Sequence, residues 1–236
     1  MTMHRLFSLL FVAVAMPYVL FQVRKPGRWV GQIFARLMNR SHSGLTNWGL
    51  SHLRIEKQFT ILDVGCGGGA TVGKLAAIAP EGVVHGIDYS AGSAAVASSV
   101  NRDLIKNGRV NIQQASVSNL PFPDSSFDLV TAVETQYYWP NLVEDMREIR
   151  RVLKPGAALM ILAESYQGGR TDKWQRPIMK LLGAAHLDVA AHRQLLGSAG
   201  YDQVEIFENP KGWICAVGRN PLRNDERSKR EVNVRD

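Results

Sequence analysis

The stretch FTILDVGCGGGATVGKLAAIAP, residues 59–80, decides the fold. Residues 59–64 form a short apolar run of the kind that a parallel strand buried on both faces requires. The run breaks at Gly65-Cys66-Gly67-Gly68-Gly69, and residues 70–79 then read as a helix stopped by Pro80. Strand, glycine turn and helix is the order that lets a ligand approach backbone N–H groups closely, because glycine tolerates the left-handed backbone and adds no side chain. A second strand over residues 83–87 ends on Asp88, nineteen positions after Gly69. A carboxylate there can accept hydrogen bonds from both ribose hydroxyls of a nucleoside.

Working outward, the turn alone leaves the ligand open. Gly65-x-Gly67-x-x-Ala70 also satisfies the dinucleotide pattern. Asp63 narrows the choice, since an acid beside the turn suits an ammonium, directly or through water, and repels a pyrophosphate. Further along, Leu120-Pro121-Phe122-Pro123-Asp124 leads into a strand over residues 127–133, and Arg151-Val152-Leu153-Lys154-Pro155-Gly156 precedes a strand over 158–163. Helices are expected over 142–153 and 188–199. Two closing strands, 204–207 and 213–217, flank a turn at Asn209-Pro210-Lys211-Gly212, a hairpin that a dehydrogenase of the usual doubly wound type lacks.

Taken together, ILDVGCGGG, HGIDYS, LPFPDSSFDLV and RRVLKPGA resemble, in order and spacing, the class I S-adenosylmethionine-dependent methyltransferases, above all the branch similar to the ubiquinone and menaquinone C-methyltransferases. The resemblance covers residues 59–218. It implies an α/β, doubly wound, Rossmann-like sheet of seven strands, order 3-2-1-4-5-7-6 with strand 7 antiparallel. It implies S-adenosylmethionine as cofactor, with Gly65, Gly67 and Gly69 under the methionine part, Asp63 as the leading acid, Asp88 on the ribose and Tyr89 against the adenine. Ser116 and Val117 stand where this branch commonly has an acid and a small residue, and Ser116 can still hydrogen-bond the adenine amine. Cys66 and Gly68 are read as shaping the turn.

Methyl transfer from a sulfonium is an in-line displacement, so the protein must align the nucleophile and exclude water. A general base is needed only where the acceptor loses a proton. The acceptor pocket is expected beyond the carboxyl ends of the strands. Glu134, ending the fourth strand, is the candidate base, and its competing reading is a carboxylate that orients a neighbour. Tyr137, Tyr138 and Trp139 are candidate walls for a planar or apolar acceptor, or ordinary packing. Glu164 and His186 are weaker candidates, and the segment 167–185, with Trp174 and Met179, carries apolar residues that could face a ligand.

The rest of the chain divides into an apolar segment (1–23), a basic helical extension or lid (24–58), the catalytic domain (59–220) and a charged tail (221–236). Residues 6–23 carry no charge and sit at the lower edge of a membrane span, which takes about 20 residues. Arg24, Lys25 and Arg28 follow, so an anchor would leave the domain on the cytoplasmic side. A signal peptide cleaved near Ala13-Val14-Ala15, a start at Met16, and a helix packed on the domain are the other readings. Residues 29–38 have helical spacing, followed by a turn and a second helix at the sheet edge, or a lid that brings His42 or Trp48 near substrate. Through Lys57 there are eight Lys and Arg against Glu56, which accounts for the whole net charge of +7 and leaves the remainder neutral. A neutral core disfavours a nucleic-acid face. An RNA methyltransferase and an inactive cofactor-binding protein of the same fold stay as alternatives to a small-molecule enzyme. Cys66 and Cys215 show neither metal-ligand nor disulfide spacing, and no metal is expected. Oligomeric state leaves no mark on the sequence.

Overall fold

A computed structural model describes residues 43–223. The apolar segment 6–23, the helix read over 29–38, His42 and the tail beyond Arg223 lie outside the described residues. Among those described, no helix is long and apolar enough to cross a membrane.

Seven strands form one sheet: β1 (Ile61–Val64), β2 (Val84–Asp88), β3 (Val110–Gln114), β4 (Phe127–Val133), β5 (Leu153–Ala163), β6 (Asp202–Glu208) and β7 (Ile214–Arg219). Their order is β3-β2-β1-β4-β5-β7-β6. The first five strands are parallel, whereas β7 runs antiparallel to both β5 and β6. This is the sheet expected from the sequence, including the reversed seventh strand.

The central strands are apolar at most positions because both faces are covered. In β1 and β5, Leu62, Leu159 and Ile161 face one cluster with Met146, Ile149 and Leu196, while Ile61, Met160 and Leu162 face the other with Leu45, Val72 and Leu75. Strand side chains alternate between faces, so an unbroken apolar run is what two cores demand. The first cluster is closed by α5 (Leu142–Val152) and α7 (Val189–Ser198). The second is closed by α1 (Ser43–Leu50), α2 (Ala70–Ile78) and α3 (Ala91–Val100), and α4 (Arg102–Lys106) continues from α3.

Two expectations need correction. The helix before β1 does not sit at the sheet edge. α1 lies against the central strand β5, so closely that a Cβ on Gly49 would come 2.2 Å from Leu162 Cδ2. Strand β5 also starts at Leu153 rather than at residue 158. Its early part passes through a register shift opposite Phe127 and Leu129, with Gly156 at φ 76°. Proline and glycine in Lys154-Pro155-Gly156 suggest a loop by propensity, but the ladder accommodates them at this irregularity.

The same region explains why LPFPD and RRVLKPG occur together. Arg151 donates to the carbonyls of Leu120 (3.1 Å) and Phe122 (2.8 Å), to Asp124 Oδ1 (2.7 Å) and through two nitrogens to Glu148 (2.8 and 2.9 Å). Lys154 Nζ donates to Asp128 Oδ1 (2.8 Å), and Asp128 Oδ2 accepts from Thr60 N–H (2.9 Å). These contacts tie the loop before β4 to the helix before β5 at the amino ends of the strands, away from the glycine turn. A planar guanidinium can serve all these acceptors at once and an ammonium cannot. Arg151→Ala is therefore expected to destabilise the fold by about 1.5–3 kcal/mol, with Arg151→Lys recovering only part of the loss; urea denaturation of the three proteins checks it.

Candidate active site

The site lies at the carboxyl ends of β1, β2, β4 and β5. Gly65, Gly67 and Gly69 have φ of 72°, 51° and 80°, the left-handed region where a side chain is strained. Space adds a second constraint at two of them. A Cβ on Gly65 would meet Thr135 Oγ1 at 2.1 Å, and one on Gly69 would meet the Ala97 backbone at 2.8 Å. Around Gly67 a Cβ would meet nothing within 4 Å, so the loop is open on that side. The N–H groups of Gly65 and Cys66 both donate to Ile87 O (2.8 Å each), which fixes the turn to β2. The buried side chain of Asn101 donates to Gly69 O and Ala97 O (2.9 Å each) and fixes it to α3. Cys66 is buried, and burial pushes its thiol well above the usual range, in keeping with a turn-shaping role.

Asp88 ends β2 facing the turn. Its Oδ2 accepts from Gly67 N–H (2.9 Å) and its Oδ1 from Ser90 N–H (2.8 Å). The Ser93 side chain hydrogen-bonds to the carboxylate as well, and the accepting capacity that remains serves a ligand hydroxyl. Partial burial raises the Asp88 pKa, and the hydrogen bonds from Ser90 and Gly67 oppose that rise. Tyr89 is 61% exposed, leaving its ring accessible for stacking. Asp63 is buried and accepts from the Thr131 hydroxyl at 2.6 Å. Burial, with the Asp88 charge adding to it, lifts Asp63 to about 7. A buried carboxyl held so high favours an incoming cation that would restore its charge.

The third cofactor position differs from the sequence expectation in one respect. Ser116 Oγ accepts from Ser118 N–H (3.2 Å) and can still donate. Val117, by contrast, is buried in the core with Leu120, so its side chain supports the loop from beneath. The buried acid of this region is Asp145 in α5, which accepts from the Ser118 hydroxyl (2.6 Å) and Asn141 N–H (2.9 Å).

Glu134 follows β4 with φ 58°, an unusual backbone for a non-glycine residue that costs on the order of 1–3 kcal/mol and persists only when the surroundings hold it. Its carboxylate accepts from the Tyr137 hydroxyl (3.0 Å) and from Glu164 N–H. Burial, reinforced by the Glu164 charge, pushes Glu134 up to about 8. Tyr137 lies in a short 3-10 turn (Gln136–Tyr138), is buried, and its oxygen also accepts from Ser165 N–H (3.1 Å). Ser165 Oγ is in turn 3.1 Å from His186 Nε2, and His186 Nδ1 is 3.8 Å from Asp172 Oδ1. The structure thus joins Glu134, Tyr137, Ser165 and His186 in one chain of polar contacts, with Glu164 at its head.

The three aromatics part ways. Tyr137 is engaged in this chain, half-buried Tyr138 packs edge-on against it, and Trp139 is buried in the core with Met146 and Ile149. Trp139 is thus a core side chain here. Trp48 is held among His52 and Trp213. Sequence reasoning missed Asn101, Thr131, Asp145 and Ser165, whose types are common at caps and strand ends and whose partners lie 32, 68, 27 and 21 residues away. A separate cavity of about 260 Å³ opens at the amino ends of the strands between Phe59, Lys154, Pro155 and Leu222, remote from these groups.

The sheet, the glycine turn and the acid after β2 define a class I, Rossmann-like nucleoside-binding fold of the methyltransferase type. Residues 62–161 match the family described as Methyltransferase domain. Demethylmenaquinone methyltransferase of Listeria welshimeri serovar 6b is 33% identical over 124 residues, which cover 48% of this chain and 48% of that protein. The uncharacterized methyltransferase YdaC of Bacillus subtilis is 25% identical over 78% of this chain and 96% of its own. The structure of a SAM dependent methyltransferase from Aquifex aeolicus is similar in fold, with a TM-score of 0.65 and 21% identity, covering 79% of this chain and 97% of that one. The chain spans about half the length of the menaquinone relatives it matches. These likenesses support a class I S-adenosylmethionine-dependent methyltransferase, and over the matched half of the chain the sequence is similar to the menaquinone- and ubiquinone-like branch.

Because the folded pKa of Glu134 lies above its ordinary value of 4.5, the native state binds more protons than the unfolded chain between about 4.5 and 8. Its contribution to stability is complete below 4.5 and is lost as pH rises through 8. Glu134→Gln, which mimics the protonated acid, is expected to match the wild type near pH 4 and to exceed it increasingly toward pH 8.5. Thermal melts across this range check the divergence.

Proposed function

We propose that this chain transfers a methyl group from S-adenosylmethionine to a small, lipophilic acceptor held beyond the carboxyl ends of β4 and β5. The observation that carries the reading is the pairing of an open glycine turn with the Asp88 carboxylate, next to the enclosed Glu134–Tyr137 pair. The bound cofactor supplies an electrophilic methyl group on a sulfonium. Toward it, Gly67 presents open backbone, Asp88 can accept from ribose hydroxyls, Tyr89 offers an exposed ring for the adenine, and buried Asp63 offers negative charge to the ammonium.

Glu134 is the residue on which the acceptor chemistry turns. With a pKa near 8, its ionised form, the minority at neutral pH, is basic enough to take the proton that an acceptor hydroxyl or enol loses as the methyl group is transferred. Tyr137 and the Glu164 N–H orient its carboxylate, and the aromatic, largely apolar surroundings exclude water. The distant menaquinone relatives support a quinone-like acceptor. The near-neutral charge after Lys57 favours a small molecule over RNA.

Asp88→Ala is expected to weaken binding of the demethylated cofactor by about 1.5–3 kcal/mol, roughly 10- to 150-fold, while the protein stays folded. Glu134→Gln should lower turnover with little change in cofactor affinity. Transfer of labelled methyl to menaquinone and ubiquinone precursors, with cofactor affinity read by calorimetry, tests both; equal turnover by Glu134→Gln at saturating acceptor removes that residue from the mechanism.

A further inference from the structure

The helix α6 (Asp172–Leu181) lies between β5 and α7 and presents an apolar stripe to solvent. Trp174 is 83% exposed, Ile178 51% and Leu181 73%. Their spacing of four and three residues sets all three on one side of the helix. The opposite side is already occupied. Met179 is buried in a cluster with Tyr137, Ala163, Tyr166 and Ile214, and Asp172 accepts from Gly168 N–H (3.0 Å) and pairs with Arg176. The stripe is therefore a second apolar surface, beyond the one that fastens the helix to the domain. Trp174, one of the apolar residues of segment 167–185 that could face a ligand, turns its ring to solvent.

Charge surrounds the stripe with one sign. Arg170, Lys173, Arg176 and Lys180 face a single acid, Asp172, between residues 170 and 181. Lys173 and Lys180 are exposed and seven residues apart, so they share one flank of the stripe. A tryptophan, two aliphatic side chains and flanking lysines on a short helix fit the boundary between headgroups and acyl chains of an anionic bilayer. A second copy of the chain fits less well. Three side chains offer a few hundred Å² at most, roughly, against about 800 Å² per partner in a stable protein interface.

We propose that α6 docks this domain on an anionic lipid surface, with Trp174, Ile178 and Leu181 inserted among the acyl chains and Lys173 and Lys180 on the headgroups. The buried side of the same helix shares a cluster with Tyr137, the partner of Glu134, so docking sets the candidate acceptor site near the bilayer. Delivery of a lipophilic acceptor from the membrane rests on the methyl-transfer reading above; the docking does not.

The test uses the full chain with phosphatidylcholine vesicles, with and without phosphatidylglycerol, carrying brominated acyl chains. Bromine is expected to quench the fluorescence of the wild type more than that of Trp174→Phe, and more on the anionic vesicles. The triple variant Trp174→Ser, Ile178→Ser, Leu181→Ser should lose about tenfold or more in partitioning, as each buried apolar side chain contributes substantially. Binding of S-adenosylhomocysteine by the variants should be unchanged, which separates failure of docking from failure of the methyltransferase reading. Equal quenching of wild type and Trp174→Phe overturns the proposal. So does wild-type self-association in sedimentation velocity that the triple variant abolishes without vesicles, since a second copy would then cover the stripe.

Discussion

The turn after β1 has room for backbone and little else, and much of the domain is arranged around that constraint. Three elements close on it from different directions: Thr135 beside Gly65, the Asp88 carboxylate on the Gly67 N–H, and Ala97 with Asn101 against Gly69. Each contact needs a glycine for its left-handed backbone, and at Gly65 and Gly69 also for want of space. The turn thus holds β2, α3 and the end of β4 in a fixed relation. The same geometry leaves the Gly67 side open. Packing and binding therefore follow from one local feature.

A division of labour runs along the sheet. At the amino ends, Arg151, Glu148, Asp124, Lys154 and Asp128 bind the LPFPD and RRVLKPG segments into a brace. At the carboxyl ends, carboxyls are held above their ordinary pKa by burial: Asp63 near 7 and Glu134 near 8. The first arrangement satisfies charge and the second withholds compensation. Carboxyls raised by burial in this way are poised to meet a ligand that brings a cation or exchanges a proton.

Much of this was legible in the sequence, for physical reasons that differ by element. The buried parallel strands read clearly because two covered faces allow no polar alternation, as in residues 158–163. The left-handed turn at Gly65, Gly67 and Gly69 and the place of Asp88 at the end of β2 read clearly because they depend on backbone and on one short strand. The early part of β5 did not, since proline and glycine mark loops unless a sheet irregularity absorbs them. Asn101, Thr131 and Ser165 did not either, because their partners come from distant parts of the chain. Trp139 and Trp174 form an instructive pair: the same residue type lies in the core in one place and in solvent in the other, and only packing decides which.

The central claim is that the glycine turn and its acids accept the nucleoside of a methyl donor. Calorimetric titration of the full chain with S-adenosylhomocysteine and, separately, with NAD tests it most directly. The account expects saturable binding of S-adenosylhomocysteine, lost in large part in Asp88→Ala, with no heat from NAD. Tight binding of NAD and none of S-adenosylhomocysteine would contradict it.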